Sequence, residues 1–219
     1  DDIARISGIP QIERKSLLHA LNIRYTARKV ADELKRDFSK SNMIAVHMGG
    51  GISVAAIKNG LMVDVNNALL GMGPFSPQRA GALPIGDLID LAYSGKFTKK
   101  ELTDLLSKKA GLIAYLGTDN GQEIQEKIME GNEKYKKFFD AMLYQVRKEI
   151  GACASVLKGK VDAIFLTGGL AYGKYVVDYI KESVAYIAPI YVYPGENEME
   201  ALTQGAVRVL KGIDQENVY

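Results

Sequence analysis

His47, the three glycines Gly49, Gly50 and Gly51, and Arg79 are the residues whose types and spacing suggest chemistry. An apolar run, Met43 to Met48, carries His47 near its end and leads straight into the glycines. A second apolar run, Ile52 to Ile57, follows at once. Successive backbone N–H groups in a glycine turn can converge on an anion, since no Cβ stands in the way. A glycine triplet is more often only a tight turn, but this one has company. The stretch Gly71 to Gly81 is too rich in Gly and Pro to lie inside a helix or strand, and it holds a lone arginine, Arg79. A surface ion pair does not account for that placement. A second glycine pair, Gly168-Gly169, ends the apolar run Val161 to Thr167. His19 sits in a helical pattern, where a histidine satisfied by a backbone group is the plainer reading.

The elements that must hold these residues follow from periodicity. Asn59-Gly60 separates the second apolar run from a third, Leu61 to Val65, and predicts a type I′ hairpin. Three strands then form an antiparallel meander with a phosphate-sized notch at one end. Before it, residues 12 to 38 read as helix, with Leu17, Leu21, Tyr25 or Ala27, Val30 and Leu34 on one face. After it come helices over 83–93 and 98–107, the second opened by a Thr98/Glu101 capping box. Residues 111–121 read as loop, 122–130 as helix. A long packing helix spans 133–157, with Phe138, Met142, Val146, Ile150, Cys153 and Leu157 as its stripe. Cys153 on that stripe is a core residue rather than a nucleophile. Strand 161–167, helix 172–184, buried strand 187–193 and helix 199–210 complete a parallel right-handed crossover. Gly168-Gly169 then lies at the carboxyl end of a strand, where open α/β sheets bind ligands. The fold class is α/β, a ribonuclease-H-like domain with a mixed five-stranded sheet in βββαβαβα order and inserted helices. Both glycine turns reach one sheet edge, which suits a nucleotide clamp.

Composition narrows the class. The chain has 219 residues, 47% of them hydrophobic, enough for a real core. The 28 basic and 26 acidic residues nearly balance, so neither a nucleic-acid nor an anionic-membrane partner is indicated. No apolar run approaches the roughly 20 residues that span a bilayer, and the first residues lack the order of a signal peptide. One cysteine and two distant histidines exclude a disulfide framework and a zinc pattern. The expectation is a soluble protein of the reducing cytoplasm. The chain begins at Asp1 without Met and reads as a fragment or processed product.

Over nearly its whole length, from Asp2-Ile3-Ala4-Arg5-Ile6-Ser7-Gly8-Ile9-Pro10 to Glu198-Met199-Glu200-Ala201-Leu202, and most specifically from His47 to Pro84, the sequence resembles the acetate and butyrate kinase family of the actin, sugar-kinase and Hsp70 superfamily. That resemblance implies an actin-like ATPase domain that clamps ATP with Mg2+ and passes a phosphoryl group to a short-chain carboxylate: a phosphotransferase with a carboxyl acceptor. Butyrate is the expected acid; acetate, propionate or a branched acid is the alternative. His47 with Gly49, Gly50 and Gly51 looks like the family's phosphate hairpin. Gly168 and Gly169 look like its adenosine motif, and Gly117, Thr118 and Asp119 like a segment lining the nucleotide pocket. His19, His47 and Arg79 fall on positions that contact the transferring group. Asp2 matches the catalytic aspartate and Glu198 a glutamate implicated in magnesium binding, with Asp2 a second candidate for the ion. The resemblance further implies a homo-oligomer. It divides the chain into a helical lead-in (1–40), a nucleotide-binding domain (41–195) and a C-terminal helix (196–219) that packs on a first domain expected before Asp1. These 219 residues alone are expected to bind nucleotide weakly and not to turn over. A non-catalytic nucleotide-binding or regulatory member of the superfamily is the rival reading.

Overall fold

The computed structural model describes residues 1–213; residues 214–219, which end the expected 196–219 unit, lie outside the described residues. Its centre is β1 (Met43–Met48), which pairs antiparallel with β2 (Ile52–Lys58) and parallel with β4 (Ala163–Gly168). β3 (Leu61–Val65) lies outside β2, and β5 (Ile190–Pro194) lies parallel outside β4. The order β3-β2-β1-β4-β5 is the expected mixed five-stranded sheet. At Asn59 (φ 50°) and Gly60 (φ 74°) both central residues of the hairpin have positive φ, as a type I′ turn demands.

Central strands buried on both faces read as continuous apolar runs rather than alternating ones, which is why β1 and β2 showed no period of two. Met43, Ala45, Ala55, Ile57, Ala163 and Phe165 face α1 (Ala20–Glu33), where Ile23, Ala27, Val30 and Ala31 meet them. Ile44, Val46, Met48, Val54, Ile164 and Leu166 face the opposite layer. That layer is built by α4 (Leu112–Leu116), α5 (Gly121–Met129), α6 (Glu133–Val156) and α7 (Lys174–Val184). Each large apolar side chain fully buried here stabilises the fold by about 1.5–3 kcal/mol.

Several boundaries differ from the sequence expectation for physical reasons. Residues 12–18 are not helical, because Leu17 runs beside Asn67 and its carbonyl accepts the Ala68 N–H at 2.8 Å. The helix starts only after His19, whose carbonyl accepts the Ile23 N–H. It stops at Glu33 because Lys35 turns left-handed (φ 54°), so that Lys35 and Arg36 N–H groups close on Asp32 and Ala31. The inward stripe of α6 is Phe139, Met142, Leu143, Val146, Ile150 and Cys153; Phe138 instead stacks on Tyr115 at 4.3 Å. The expected loop at 111–121 contains α4. β5 is only partly buried, as an edge strand. A 3-10 turn, Gly169–Tyr172, stands between β4 and α7, so the helix expected from 172 begins at Lys174.

Outside this core lie α2 (Ile85–Tyr93) and α3 (Lys99–Lys108). In the α3 capping box the Thr98 hydroxyl accepts the Glu101 N–H and the Glu101 carboxylate accepts the Thr98 N–H. Thr98→Ala is expected to cost about 1 kcal/mol. A lower urea midpoint at unchanged slope is the check. α8 (Glu198–Leu210) lies across α1, with Ala201 buried and Glu200 bonded to the Tyr25 phenol. Among the described residues no helix is long and apolar enough to cross a membrane.

Candidate active site

β1 delivers His47 to the carboxyl edge of the sheet, and the turn Gly49–Gly51 closes against β2 with the Gly49 N–H bonded to the Gly51 carbonyl at 3.0 Å. None of the three has positive φ, so backbone angle does not demand glycine here, and space demands it most at Gly51. A Cβ on Gly51 would sit 2.0 Å from Arg79 Nη1, so a side chain there would evict the guanidinium. The same turn is pinned from outside by Ser76, whose hydroxyl donates to the Gly50 carbonyl at 2.7 Å.

On one side of the turn opens a cavity of about 690 Å³. Its walls include Gly49 and Gly50, Asp119 and Asn120 with the first turns of α5, and Gly169, Leu170, Tyr172 and Gly173 beyond β4. The size and the mixture of a few polar groups with apolar wall are those of a nucleotide-scale ligand site. Gln78 ties the two walls together: its amide lies 3.3 Å from where a Gly50 Cβ would be and donates to Asp119 at 2.6 Å.

The cationic and imidazole groups also adjoin the turn, His47 at Gly49 and Arg79 at Gly51. Arg79 donates from Nη1 to the Ala68 carbonyl at 2.6 Å, while its Nε is buried without a partner. Burial lowers the pKa of the guanidinium. His19, at the N-terminus of α1, bonds Ser53 through Nδ1 at 3.0 Å and stacks on His47 at 3.8 Å between ring centres. Burial first, then the charge of Arg79, lowers the His19 pKa, and Glu198 opposes them. His47 is fully buried, and burial with the neighbouring His19 pushes it down to about 3. Both rings are therefore held toward the neutral form.

Of the residues singled out from sequence, His19, His47, Arg79, Gly49, Gly50 and Gly51 meet at this edge. Asp119 and Gly169 line the cavity, and Glu198 acts electrostatically on His19. Gly168 backs onto Met48, whose carbonyl would be 2.4 Å from an added Cβ, and serves packing rather than the cavity wall. Gly117 ends α4 in the left-handed conformation, and Thr118 donates to Glu123 at 2.7 Å; neither lines the cavity. Asp2 sits in a 3-10 turn beside β3, in a small cleft lined by Asp1, Arg5, Arg14 and Met62 to Val65, apart from both histidines and Arg79.

Sequence reading missed Asn22, Ser53, Gln78 and Glu196. Asn22 was findable, one helical turn beyond His19 on the same face. Glu196, whose carboxylate lies 3.4 Å from His47 Nε2, carried no signal of its own. Among the described residues no group of three or more His, Cys, Asp or Glu is arranged to hold a metal ion.

Comparison with known proteins adds the following. The Acetokinase family profile matches residues 11–193. The chain is 51% identical over 219 residues to "Butyrate kinase 2" of Clostridium acetobutylicum, covering 100% of this chain and 62% of that protein. It is 51% identical over 218 residues to a "Probable butyrate kinase" of Listeria monocytogenes, covering 100% and 61%. The acetate kinase of Porphyromonas gingivalis superposes with a TM-score of 0.85 at 22% identity, over 96% of this chain and 61% of that one. A propionate kinase from Francisella tularensis gives 0.80 at 19%, over 92% and 59%. The structural likeness establishes the actin-like ATPase fold. The chain spans about three-fifths of the length of the curated relatives it matches.

Proposed function

The chain belongs to the acetokinase family, and we propose that it forms the nucleotide-binding portion of a carboxylate kinase that converts butyrate and ATP to butyryl phosphate and ADP. One observation carries the reading: the Gly49–Gly51 turn lines a nucleotide-sized cavity and is also met by His47 and Arg79, with His19 stacked on His47. A phosphoryl group leaving the nucleotide would pass that turn to reach its acceptor.

Such a group spreads negative charge over its equatorial oxygens, so the protein's task is positioning and charge stabilisation. Arg79 supplies a planar, permanently charged fork whose Nε and Nη2 are not committed to the Ala68 carbonyl. Without Cβ atoms, the turn's backbone N–H groups could approach anionic oxygens closely. Gln78, bonded to Asp119 and lying against Gly50, would help keep the two walls of the cavity in register.

Mg2+ keeps several waters and uses few protein carboxylates when nucleotide phosphates supply its other ligands. Glu198, beside His19, fits that role through water; Asp2 does not. When bound, the ion neutralises the β- and γ-phosphates. Residues 41–195 form the nucleotide-binding unit in this reading. A cytoplasmic homo-oligomer is part of it as well.

The natural polypeptide containing these residues, given ATP, Mg2+ and a panel of acetate, propionate, butyrate and isobutyrate, tests it by trapping acyl phosphate as hydroxamate. Acid-dependent product that is greatest with butyrate is the expected result. Discrimination over one or two methylenes is worth only about 1–3 kcal/mol, so the neighbouring acids should react more slowly rather than not at all. Nucleotide binding with no acid-dependent product would sink the proposal in favour of a regulatory nucleotide-binding protein.

A further inference from the structure

Three residues that the transfer reading leaves unused converge behind His47. Asn22 is 1% exposed, Thr167 is fully buried, and Gly195 lies where β5 turns toward α8. The Gly195 carbonyl accepts the Gly168 N–H at 3.1 Å, the Thr167 hydroxyl at 3.1 Å and the Asn22 amide Nδ2 at 3.4 Å. Asn22 Oδ1, on the other side of the same amide, faces the Thr167 hydroxyl at 3.0 Å and His47 Nδ1 at 3.4 Å.

A carbonyl can only accept. Turning the Asn22 amide over would remove its bond to the Gly195 carbonyl and set one acceptor oxygen against another, an unfavourable contact in a buried place. The amide orientation is therefore dictated by Gly195. With Oδ1 toward the ring, the ring nitrogen opposite it has to be the one that bears hydrogen. We propose that Asn22 is a positioning residue that fixes the His47 proton on Nδ1 and leaves Nε2 as a lone-pair acceptor at the glycine turn.

In this arrangement Nε2 makes no hydrogen bond, although a carboxylate lies near it. The nitrogen is buried, 3.4 Å from the Glu196 carboxylate, with the His19 ring stacked alongside. A lone pair on Nε2 beside a carboxylate calls for a hydrogen-bearing group such as water placed against both, not a bare phosphoryl oxygen. Direct contact with the transferring group then falls to Arg79 and His19, while His47 and Glu196 order a donor next to it. Because Gly195 and Glu196 share one strap, movement of that strap would be felt by His47 through Asn22. The tautomer assignment stands on geometry alone; its place in transfer rests on the carboxylate kinase reading.

Long-range ¹H–¹⁵N correlation spectra of the natural polypeptide with ¹⁵N-labelled histidine, recorded at pH 8 without substrates, test the assignment. The His47 signal is identified by its absence in H47Q. The expected pattern is an Nδ1-protonated imidazole in the wild type and in N22D, which keeps an acceptor. In N22A the proton should redistribute toward Nε2. Acid-dependent turnover of N22A should fall about tenfold in kcat, with KM for ATP within about twofold of wild type. An Nε2-protonated His47 in the wild type, or an unchanged tautomer in N22A, overturns the proposal. Loss of the kinase reading would leave the spectra unaffected, so the two failures are separable.

Discussion

Arg79→Ala in the natural polypeptide is expected to lower acid-dependent kcat/KM by about three orders of magnitude, the scale at which a single arginine serves phosphoryl transfer. The geometry explains why the loss should be catalytic rather than structural. The guanidinium is half-buried and its Nε has no partner, so its presence costs the folded state a desolvation penalty that only one carbonyl bond, to Ala68, offsets. A thermal melt of R79A should therefore show no loss of stability. Arg79→Lys keeps the charge but not the fork, and recovery of only a small part of the rate is expected. Gly51→Ala approaches the same defect from the other direction, because its Cβ would occupy the space of Nη1. Steady-state hydroxamate assays on the three variants make the comparison. R79A activity within tenfold of wild type would remove Arg79 from the chemistry and favour the regulatory reading.

How much of this was legible beforehand can be argued residue by residue. The sheet and its glycine edge were, because Asn59-Gly60, the glycine triplet and Gly168-Gly169 constrain the backbone locally, and local constraints are written in adjacent residues. Arg79 stood out for the same reason, in a loop whose Gly and Pro content left no helix or strand to explain it. The start of α1 was not legible. Leu17 and Leu21 fit a helical stripe, yet Leu17 is recruited by Asn67 across the sheet edge. Its end was hidden too, since the left-handed residue there is Lys35 rather than glycine. Glu196 and Asn22 belong to contacts between distant segments, with Gly195 of the strap meeting Asn22 of α1. Spacing from His19 could have pointed to Asn22 as a neighbour on the same helix face, but no spacing rule encodes its meeting with Gly195 or the approach of Glu196 to His47. Asp2 shows the converse: matching a family position put it among the catalytic candidates, and the fold lays it beside β3.

The two histidines also make an acid-stability prediction. His47 titrates in the folded protein near pH 3, against about 6.5 unfolded, because burial and the stacked His19 ring oppose its charge. Between those values the unfolded chain binds the extra proton, so stability rises with pH across the window and is lost as pH falls below about 6.5. At pH 5 the His47 contribution to the loss, relative to pH 8, is about 2 kcal/mol, and His19, lowered for the same first reason, adds in the same direction. Urea unfolding at pH 8 and pH 5 reads the total, and His47→Gln should flatten the dependence by roughly the His47 share. A wild-type stability that is level between the two pH values, or an H47Q dependence as steep as wild type, would show that the ring charges in place. Neutrality of that ring matters beyond stability. An imidazolium would donate from both nitrogens and pair directly with Glu196, closing the space at the glycine turn that an incoming group needs. A neutral ring held by Asn22 leaves it open at the pH where ATP carries its full charge.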